Sequence, residues 1–192
     1  SAGGDLLEPD KLMTDVLFTS TQKCFALPPG LAIGIVSPEA IQRAREVPGR
    51  GHYTDLIAVT DYYAKNKQNP TTPNISLLYA LDFQLNRMLA ETAQKRYERH
   101  VAMAEYTRKW AGEHKIEPFP EKGYESVTVS TLKNSLNKNV GDLNKELGKR
   151  GYQIATGYGK VKDTTFRIGH MGDWMPDDIK GLLWHIEEIW GL

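Results

Sequence analysis

Two short apolar runs separated by a rigid turn constrain the fold of this chain most strongly. Residues 15–20 and 31–37 are rich in β-branched and large apolar side chains without strict polar alternation, which is typical of strands covered on both faces. Pro28, Pro29 and Gly30 lie between the runs and favour a sharp connection with few backbone donors. The pattern therefore predicts two buried strands joined by a tight turn.

Helix signals follow these strands along the sequence. Ser37 and Pro38 predict an N-cap and first turn, with a helix that runs to about Glu46. Thr72 and Pro73 likewise predict the start of a long amphipathic helix. Its apolar stripe consists of Ile75, Leu78, Leu81, Leu85 and Leu89.

The remaining sequence predicts a small α+β layer. A second helical pattern ends near His114 and places Arg96 and Arg99 on its polar faces. Three further strands are predicted, near residues 126–132, 152–155 and 165–168. A polar helix is expected over 140–150, and a closing helix begins at Pro176. The apolar face of the closing helix consists of Ile179, Leu182, Leu183, Ile186 and Trp190.

Composition excludes several classes of protein. Lys plus Arg and Asp plus Glu number 24 each, so no net field draws the chain to nucleic acid or to an anionic membrane. The apolar run 31–36 is far shorter than the roughly 20 residues of a membrane span. The single cysteine, Cys24, cannot form an internal disulfide, and no secretory signal opens the sequence. We expect a soluble, cytoplasmic protein that binds neither nucleic acid nor membrane.

The residue pattern leaves the chemistry of two basic residues open. Lys23 lies between a strand and the proline turn, where it is either a snorkelling lysine or an amine nucleophile that captures a carbonyl cofactor. Arg167 has apolar neighbours on both sides and is either a structural ion-pair partner or a bidentate clamp for a carboxylate. The five histidines show no metal-ligand spacing, so we predict no metal site.

Three motifs resemble one family in order and spacing. Residues 20–23 (Ser-Thr-Gln-Lys), followed by Ala-Leu-Pro-Pro-Gly-Leu-Ala at 26–32, resemble the cofactor-lysine segment of class V pyridoxal-phosphate aminotransferases, in the alanine-glyoxylate and serine-pyruvate group. Residues 71–76 resemble that family's Thr-x-Pro loop, and residues 166–172 resemble its substrate-arginine strand. The resemblance therefore spans nearly the whole chain.

The resemblance implies a fold and a domain division. The fold class is α/β, as the C-terminal part of a fold-type I transferase that depends on pyridoxal phosphate. Residues 1–92 would form the end of the large, mostly parallel sheet domain, and residues 93–192 would form the small α+β domain. The implied activity is transfer of an amino group between a small amino acid and a 2-oxo acid.

The resemblance also implies roles for individual residues. Lys23 would bind pyridoxal 5'-phosphate covalently and then shuttle a proton between the substrate and the cofactor. Gln22 would lie against the cofactor, and Arg167 would hold the substrate α-carboxylate. Thr71 and Gln68 would reach the cofactor phosphate of a partner subunit, which implies a homodimer. His170 and Tyr53 are two further candidates for lining the site.

Some features of the family are absent from this sequence. Residues 1–4 (Ser-Ala-Gly-Gly) resemble a family segment just downstream of the aspartate that pairs with the cofactor ring nitrogen. That aspartate and the family's N-terminal half are missing, so we expect these residues alone to be inactive or nearly so without a companion polypeptide. Two alternatives stay open: a phosphoserine aminotransferase or lyase on the same scaffold, and a non-catalytic domain fragment. Cys24 adjoins the lysine instead of lying on a mobile loop, which argues against desulfuration.

Overall fold

The computed structural model describes residues 2–192, and the chain divides into two compact units. The N-terminal unit comprises Ala2 and residues 7–87. The C-terminal unit comprises residues 3–6 and 88–192. No helix of the described part of the chain is long and apolar enough to cross a membrane.

The N-terminal unit contains the two predicted strands as an antiparallel ribbon. β1 (Val16–Ser20) pairs with β2 (Ala32–Val36), with Val16 opposite Val36. The strands are confirmed, but the prediction that both of their faces are covered is wrong for residues 2–192, because Phe18 is 74% exposed and Ile35 is 56% exposed. A two-stranded ribbon has no second layer of its own to cover both faces.

The first helix is confirmed, and the second was not predicted. α1 (Pro38–Glu46) is capped by Ser37, whose Oγ accepts a hydrogen bond from the Ala40 amide at 3.0 Å. α2 (Leu56–Asn66) is capped by Asp55, whose Oδ1 accepts from the Ile57 amide at 3.0 Å. An aspartate directly before an apolar run is the signal that would have revealed α2.

α3 (Ile75–Glu91) begins later than predicted, and its apolar stripe is not buried. Asn74 Oδ1 accepts from the Leu77 amide at 3.2 Å at the helix start, so the predicted start at Pro73 is wrong. Leu77 and Gln84 are the buried residues of this helix, whereas Leu89 in the predicted stripe is 74% exposed. Periodicity identified the helix but not the face that this chain buries.

The C-terminal unit is the predicted small α+β layer. Its elements are α4 (Ala93–Glu113), β3 (Val129–Lys133), α5 (Val140–Lys149), β4 (Ala155–Thr156), β5 (Thr165–Gly169) and α6 (Pro176–Trp190). The strands form an antiparallel sheet in the order β3–β5–β4. The helices match their predicted ranges closely, while β3 begins at Val129 instead of Ser126.

One apolar core fills the C-terminal unit between the sheet and its helices. Phe166 and Ile168 of β5 and Leu132 of β3 are at most 1% exposed. All five residues of the predicted α6 face are buried: Ile179, Leu182, Leu183, Ile186 and Trp190. The neighbours of Arg167 in β5 are therefore core residues, and the arginine backbone is held in the central strand of the sheet.

Candidate functional site

The turn that carries Lys23 is fixed by a buried threonine. Thr21, which is 0% exposed, follows β1 directly. Its hydroxyl donates to the Pro28 carbonyl at 2.9 Å, and its amide donates to the Leu31 carbonyl at 3.2 Å. These bonds close the connection between β1 and β2 and set the backbone around Lys23.

The backbone after Lys23 adopts a left-handed conformation that tightens the turn. Ala26 has φ 53° and donates its amide to the Lys23 carbonyl at 3.0 Å. A non-glycine residue in this region costs about 1 kcal/mol and persists where surrounding contacts hold it. Cys24, the next residue after Lys23, is fully buried. The position of Lys23 is therefore determined by the fold and not by its own side-chain contacts.

The side chains of Lys23 and Gln22 are exposed. Lys23 is open to solvent although its neighbours Thr21 and Cys24 in the same turn are fully buried. Lys23 also forms no ion pair with any described residue. The result is an accessible amine on a rigid backbone.

The other predicted cofactor residues lie on an exposed loop between α2 and α3. Lys67 ends α2 in the left-handed region, with φ 54°. Gln68 and Thr71 follow it, and both side chains are exposed. Tyr53, on the loop before α2, is 91% exposed. These side chains are accessible to a second polypeptide, and their role at a partner's cofactor stays a prediction.

Arg167 occupies the central strand of the C-terminal sheet. It lies opposite Thr131 of β3 and Ala155 of β4, and its Nε donates to the Thr156 carbonyl at 3.0 Å. The half-buried guanidinium forms no ion pair with a carboxylate of residues 2–192. Anchoring through Nε leaves the two terminal nitrogens available for a bidentate contact with a carboxylate.

His170 lies inside the C-terminal unit just beyond β5. It is fully buried, and its Nε2 lies 2.9 Å from Ser130 Oγ. Its amide donates to the Thr128 carbonyl at 3.0 Å. Burial lowers the pKa of His170 to about 4, so the ring is neutral near pH 7. These two hydrogen bonds connect the residue after β5, the strand that carries Arg167, to Thr128 and Ser130.

A buried arginine network, which the sequence did not predict, holds the segment after β5. Arg99 donates through Nε and Nη2 to the two carboxylate oxygens of Glu91, at 2.7 and 3.0 Å. The same guanidinium donates to the carbonyls of Gly172, at 3.1 Å, and Trp174. These contacts attach the segment that follows the Arg167 strand to the junction of α3 and α4.

Arg96 and His100 extend this network. Arg96 is 5% exposed and donates to Glu91 at 2.8 Å and to Asp173 at 3.0 Å. Its predicted place on a polar helix face is therefore wrong. His100 Nδ1 lies 2.8 Å from the Gly4 carbonyl, and burial lowers the pKa of its ring. The hydrogen bond from Arg99 is the main cause that lowers the pKa of Glu91.

The spacing of residues along α4 is the sequence signal that could have revealed this network. The buried residues Arg96, His100, Met103 and Thr107 recur at steps of four, three and four along the helix, which is the spacing of one helix face. Within residues 2–192, no group of three or more His, Cys, Asp and Glu side chains could hold a metal ion. Arg99, the centre of this network, binds both a carboxylate and the backbone carbonyls of Gly172 and Trp174.

Comparisons with known proteins identify the class of fold. No family model matches the chain. The fold is similar to the crystal structure of an alanine–glyoxylate aminotransferase from Nostoc sp., with a TM-score of 0.90 and 21% identity over 99% of this chain and 52% of that chain. The α/β fold is therefore that of the C-terminal half of a class V aminotransferase.

The sequence relatives are also aminotransferases. The chain is 37% identical over 174 residues to an uncharacterized aminotransferase of Methanocaldococcus jannaschii, covering 90% of this chain and 45% of that protein. It is 31% identical over 184 residues to a serine–glyoxylate aminotransferase of Methylorubrum extorquens, covering 90% and 44%. The chain thus spans about half the length of the curated relatives it matches. The resemblance to aminotransferases of the alanine/serine–glyoxylate type is confirmed.

Proposed function

We propose that this chain forms the C-terminal half of an aminotransferase that depends on pyridoxal phosphate. The reaction is transfer of an amino group between a small amino acid and a 2-oxo acid, with glyoxylate as the leading acceptor. The observation that carries the proposal is the similarity to aminotransferases over 90–99% of this chain. The turn that Thr21 fixes gives the exposed Lys23 a defined backbone position, which supports its assignment as the cofactor lysine.

The residues around Lys23 fit the cofactor. The amine is exposed and is not engaged in an ion pair with a described residue, so a phosphorylated aldehyde can reach it. When bound, pyridoxal phosphate supplies an electron sink for the α-carbon of an amino acid. Lys23 would hold the cofactor covalently and, once released, would move a proton to and from the substrate α-carbon. Gln22, its exposed neighbour, would lie against the cofactor.

Arg167 would bind the substrate α-carboxylate. Its Nε is committed to the Thr156 carbonyl, which fixes the plane of the guanidinium and presents both terminal nitrogens together. The buried network at Glu91, Arg96 and Arg99 fixes the segment that follows the Arg167 strand. This support limits the movement of the arginine, and so it helps to orient a bound substrate.

Further parts of the proposal concern the assembly. Thr71 and Gln68, on an exposed loop, would contact the cofactor phosphate of a second subunit in a homodimer. Residues 1–92 would belong to the large domain and residues 93–192 to the small domain. The site would be completed by a polypeptide segment that corresponds to the other half of the relatives, and the enzyme would act in the cytoplasm.

Substitution of Arg167 tests the function directly. In the protein as the cell produces it, Arg167→Lys should raise KM for both the amino donor and the oxo acid by about tenfold or more, because one point charge replaces two parallel hydrogen bonds. Arg43→Lys is a matched control, since the Arg43 side chain is 74% exposed in the N-terminal unit. Equal KM values for the two variants would contradict the assignment of Arg167.

The choice of donor separates the alternatives. Alanine and serine should support turnover with glyoxylate, and the turnover should require added pyridoxal phosphate. A clear preference for phosphoserine would instead identify a phosphoserine aminotransferase. Absence of any transamination in the protein purified from its own cells would favour a non-catalytic role for this chain.

A further inference from the structure

A cavity of about 140 Å³ lies in the C-terminal unit beside β3. Its walls are largely apolar and include Phe119, Pro120, Tyr124 and Val129. A cavity of about 150 Å³ in another protein accepts a benzene molecule, so this one has room for a phenyl ring or a branched aliphatic side chain. None of the residues proposed for transamination lines it.

Two opposite charges lie at this cavity without pairing with each other. Arg108, on α4, is half-buried and donates from Nη1 to the Ser126 carbonyl at 3.3 Å. Glu125 is half-buried, and its Oε2 accepts from the Gly123 amide at 2.8 Å. Within residues 2–192, neither side chain forms an ion pair within 4.0 Å. A cation and an anion therefore both remain open to a ligand.

The charges on the two groups persist at neutral pH. Backbone hydrogen bonds from Glu125 itself and from Gly123 lower the pKa of the Glu125 carboxyl, and the charges of Arg108 and Lys122 lower it further. An arginine is protonated throughout the physiological range. The cavity thus combines an apolar interior with a fixed positive group and a fixed negative group.

We propose that this cavity binds a free amino acid with an apolar or aromatic side chain. The side chain would occupy the space between Phe119 and Val129. The α-carboxylate would contact Arg108, and the α-ammonium would contact Glu125. This proposal does not depend on the proposed transamination, because it concerns binding at a cavity that Lys23 and Arg167 do not line.

The charge pattern favours an amino acid over other small apolar ligands. A monocarboxylate would gain the contact with Arg108 but would bring its charge near the Glu125 carboxylate. An apolar amine would meet the reverse conflict. A zwitterion of matching size satisfies both charges at once, and such opposed contacts are the usual basis of selectivity for polar ligands.

Calorimetric titration of the 192-residue chain, without pyridoxal phosphate, tests the proposal. The ligands are L-phenylalanine, L-alanine, 3-phenylpropionate and phenethylamine. L-Phenylalanine should bind at millimolar concentration or tighter, and each of the other three should bind at least about tenfold more weakly, since each lacks one of the three contacts. If L-phenylalanine does not bind at about 10 mM, the proposal is overturned.

Matched variants locate the binding. Arg108→Gln and Glu125→Gln should each weaken binding of L-phenylalanine about tenfold or more. Lys109→Gln on the same helix and Glu121→Gln on the same loop remove similar charges from residues that do not line the cavity, and both should leave binding unchanged. Equal binding by all four variants, or binding of 3-phenylpropionate as tight as that of L-phenylalanine, would refute the site. If a variant folds poorly, the comparison of the four ligands on the unaltered chain still tests the proposal.

Discussion

The buried His170 ring makes the stability of the C-terminal unit depend on pH. Burial lowers the pKa of His170 from its ordinary 6.5 to about 4. Between these two values the unfolded chain binds a proton that the folded chain excludes, so unfolding becomes easier as the pH falls. The two pKa values imply a loss of about 2.5 kcal/mol in the free energy of unfolding between pH 7 and pH 4.5. This contribution is fully present above pH 6.5 and is lost as the pH falls toward 4.

Urea unfolding followed by tryptophan fluorescence measures this loss. All four tryptophans, at 110, 174, 184 and 190, lie in the C-terminal unit, so the signal reports on the unit that contains His170. His170→Gln should be less stable at pH 7 but should lose about 2 kcal/mol less than the wild-type chain on going to pH 4.5. His52→Gln, at an exposed loop position, should show the wild-type loss.

The comparison between these variants isolates His170. His100 is also buried with a lowered pKa, and it contributes in the same direction in both the wild-type chain and the His170 variant. The charge of His100 is the smallest of the causes that lower the pKa of His170, so the contribution of His100 cancels to first order in the difference between the two chains. An equal loss of stability in wild type and His170→Gln, within about 0.5 kcal/mol, would refute the conclusion that the buried ring excludes a proton.

Three further substitutions test the structural support of the proposed site. Arg99→Ala should destabilise the C-terminal unit by about 3 kcal/mol, because it leaves buried carbonyls and a carboxylate without their donor. The control Lys109→Ala should change stability by less than about 0.5 kcal/mol in the same urea assay. Gly157→Ala places a Cβ at 2.1 and 2.2 Å from two neighbouring oxygens and should lower the free energy of unfolding by about 3 kcal/mol or more. Gly148→Ala is the control: its Cβ meets nothing within 4 Å, and it should raise the free energy of unfolding by about 0.5–1 kcal/mol. Thr21→Val should destabilise the N-terminal unit by about 1–3 kcal/mol in urea unfolding followed by circular dichroism, because it removes the bond to the Pro28 carbonyl.

Local sequence signals predicted the elements that are governed by local physics. α1, with Ser37 and Pro38 at its start, and α6, with its continuous apolar face, were predicted with nearly correct bounds. Both helices combine an N-terminal signal with a pattern of period 3.6, and the two signals agree. The strands of the C-terminal sheet were also found, although β3 and β4 are shorter than predicted.

Long-range contacts are what the sequence did not reveal. Arg96 contacts Asp173, and Arg99 contacts Gly172 and Trp174, across more than 70 positions of sequence. On a helix that carries many charges, buried and solvated arginines have the same local pattern. Only the fold shows which guanidinium is paired inside the unit.

The exposure of the candidate site residues has a similar explanation. Apolar residues such as Phe18 and Leu89 are exposed here, although the period of their segments predicts covered faces. Lys23 is exposed as well. The chain spans about half the length of the relatives it matches, and under the proposed function a further polypeptide segment or a second subunit would cover these faces.

The most direct test concerns the lysine on the Thr21 turn. The protein, purified in the form in which its cell makes it, is loaded with pyridoxal phosphate, reduced with borohydride and mapped by mass spectrometry of its peptides. The proposed function predicts that the pyridoxyl group is found on Lys23 and that the exposed Lys65 and Lys67 remain unmodified. A preparation that catalyses transamination but carries the label at another lysine, with Lys23 unmodified, would contradict it.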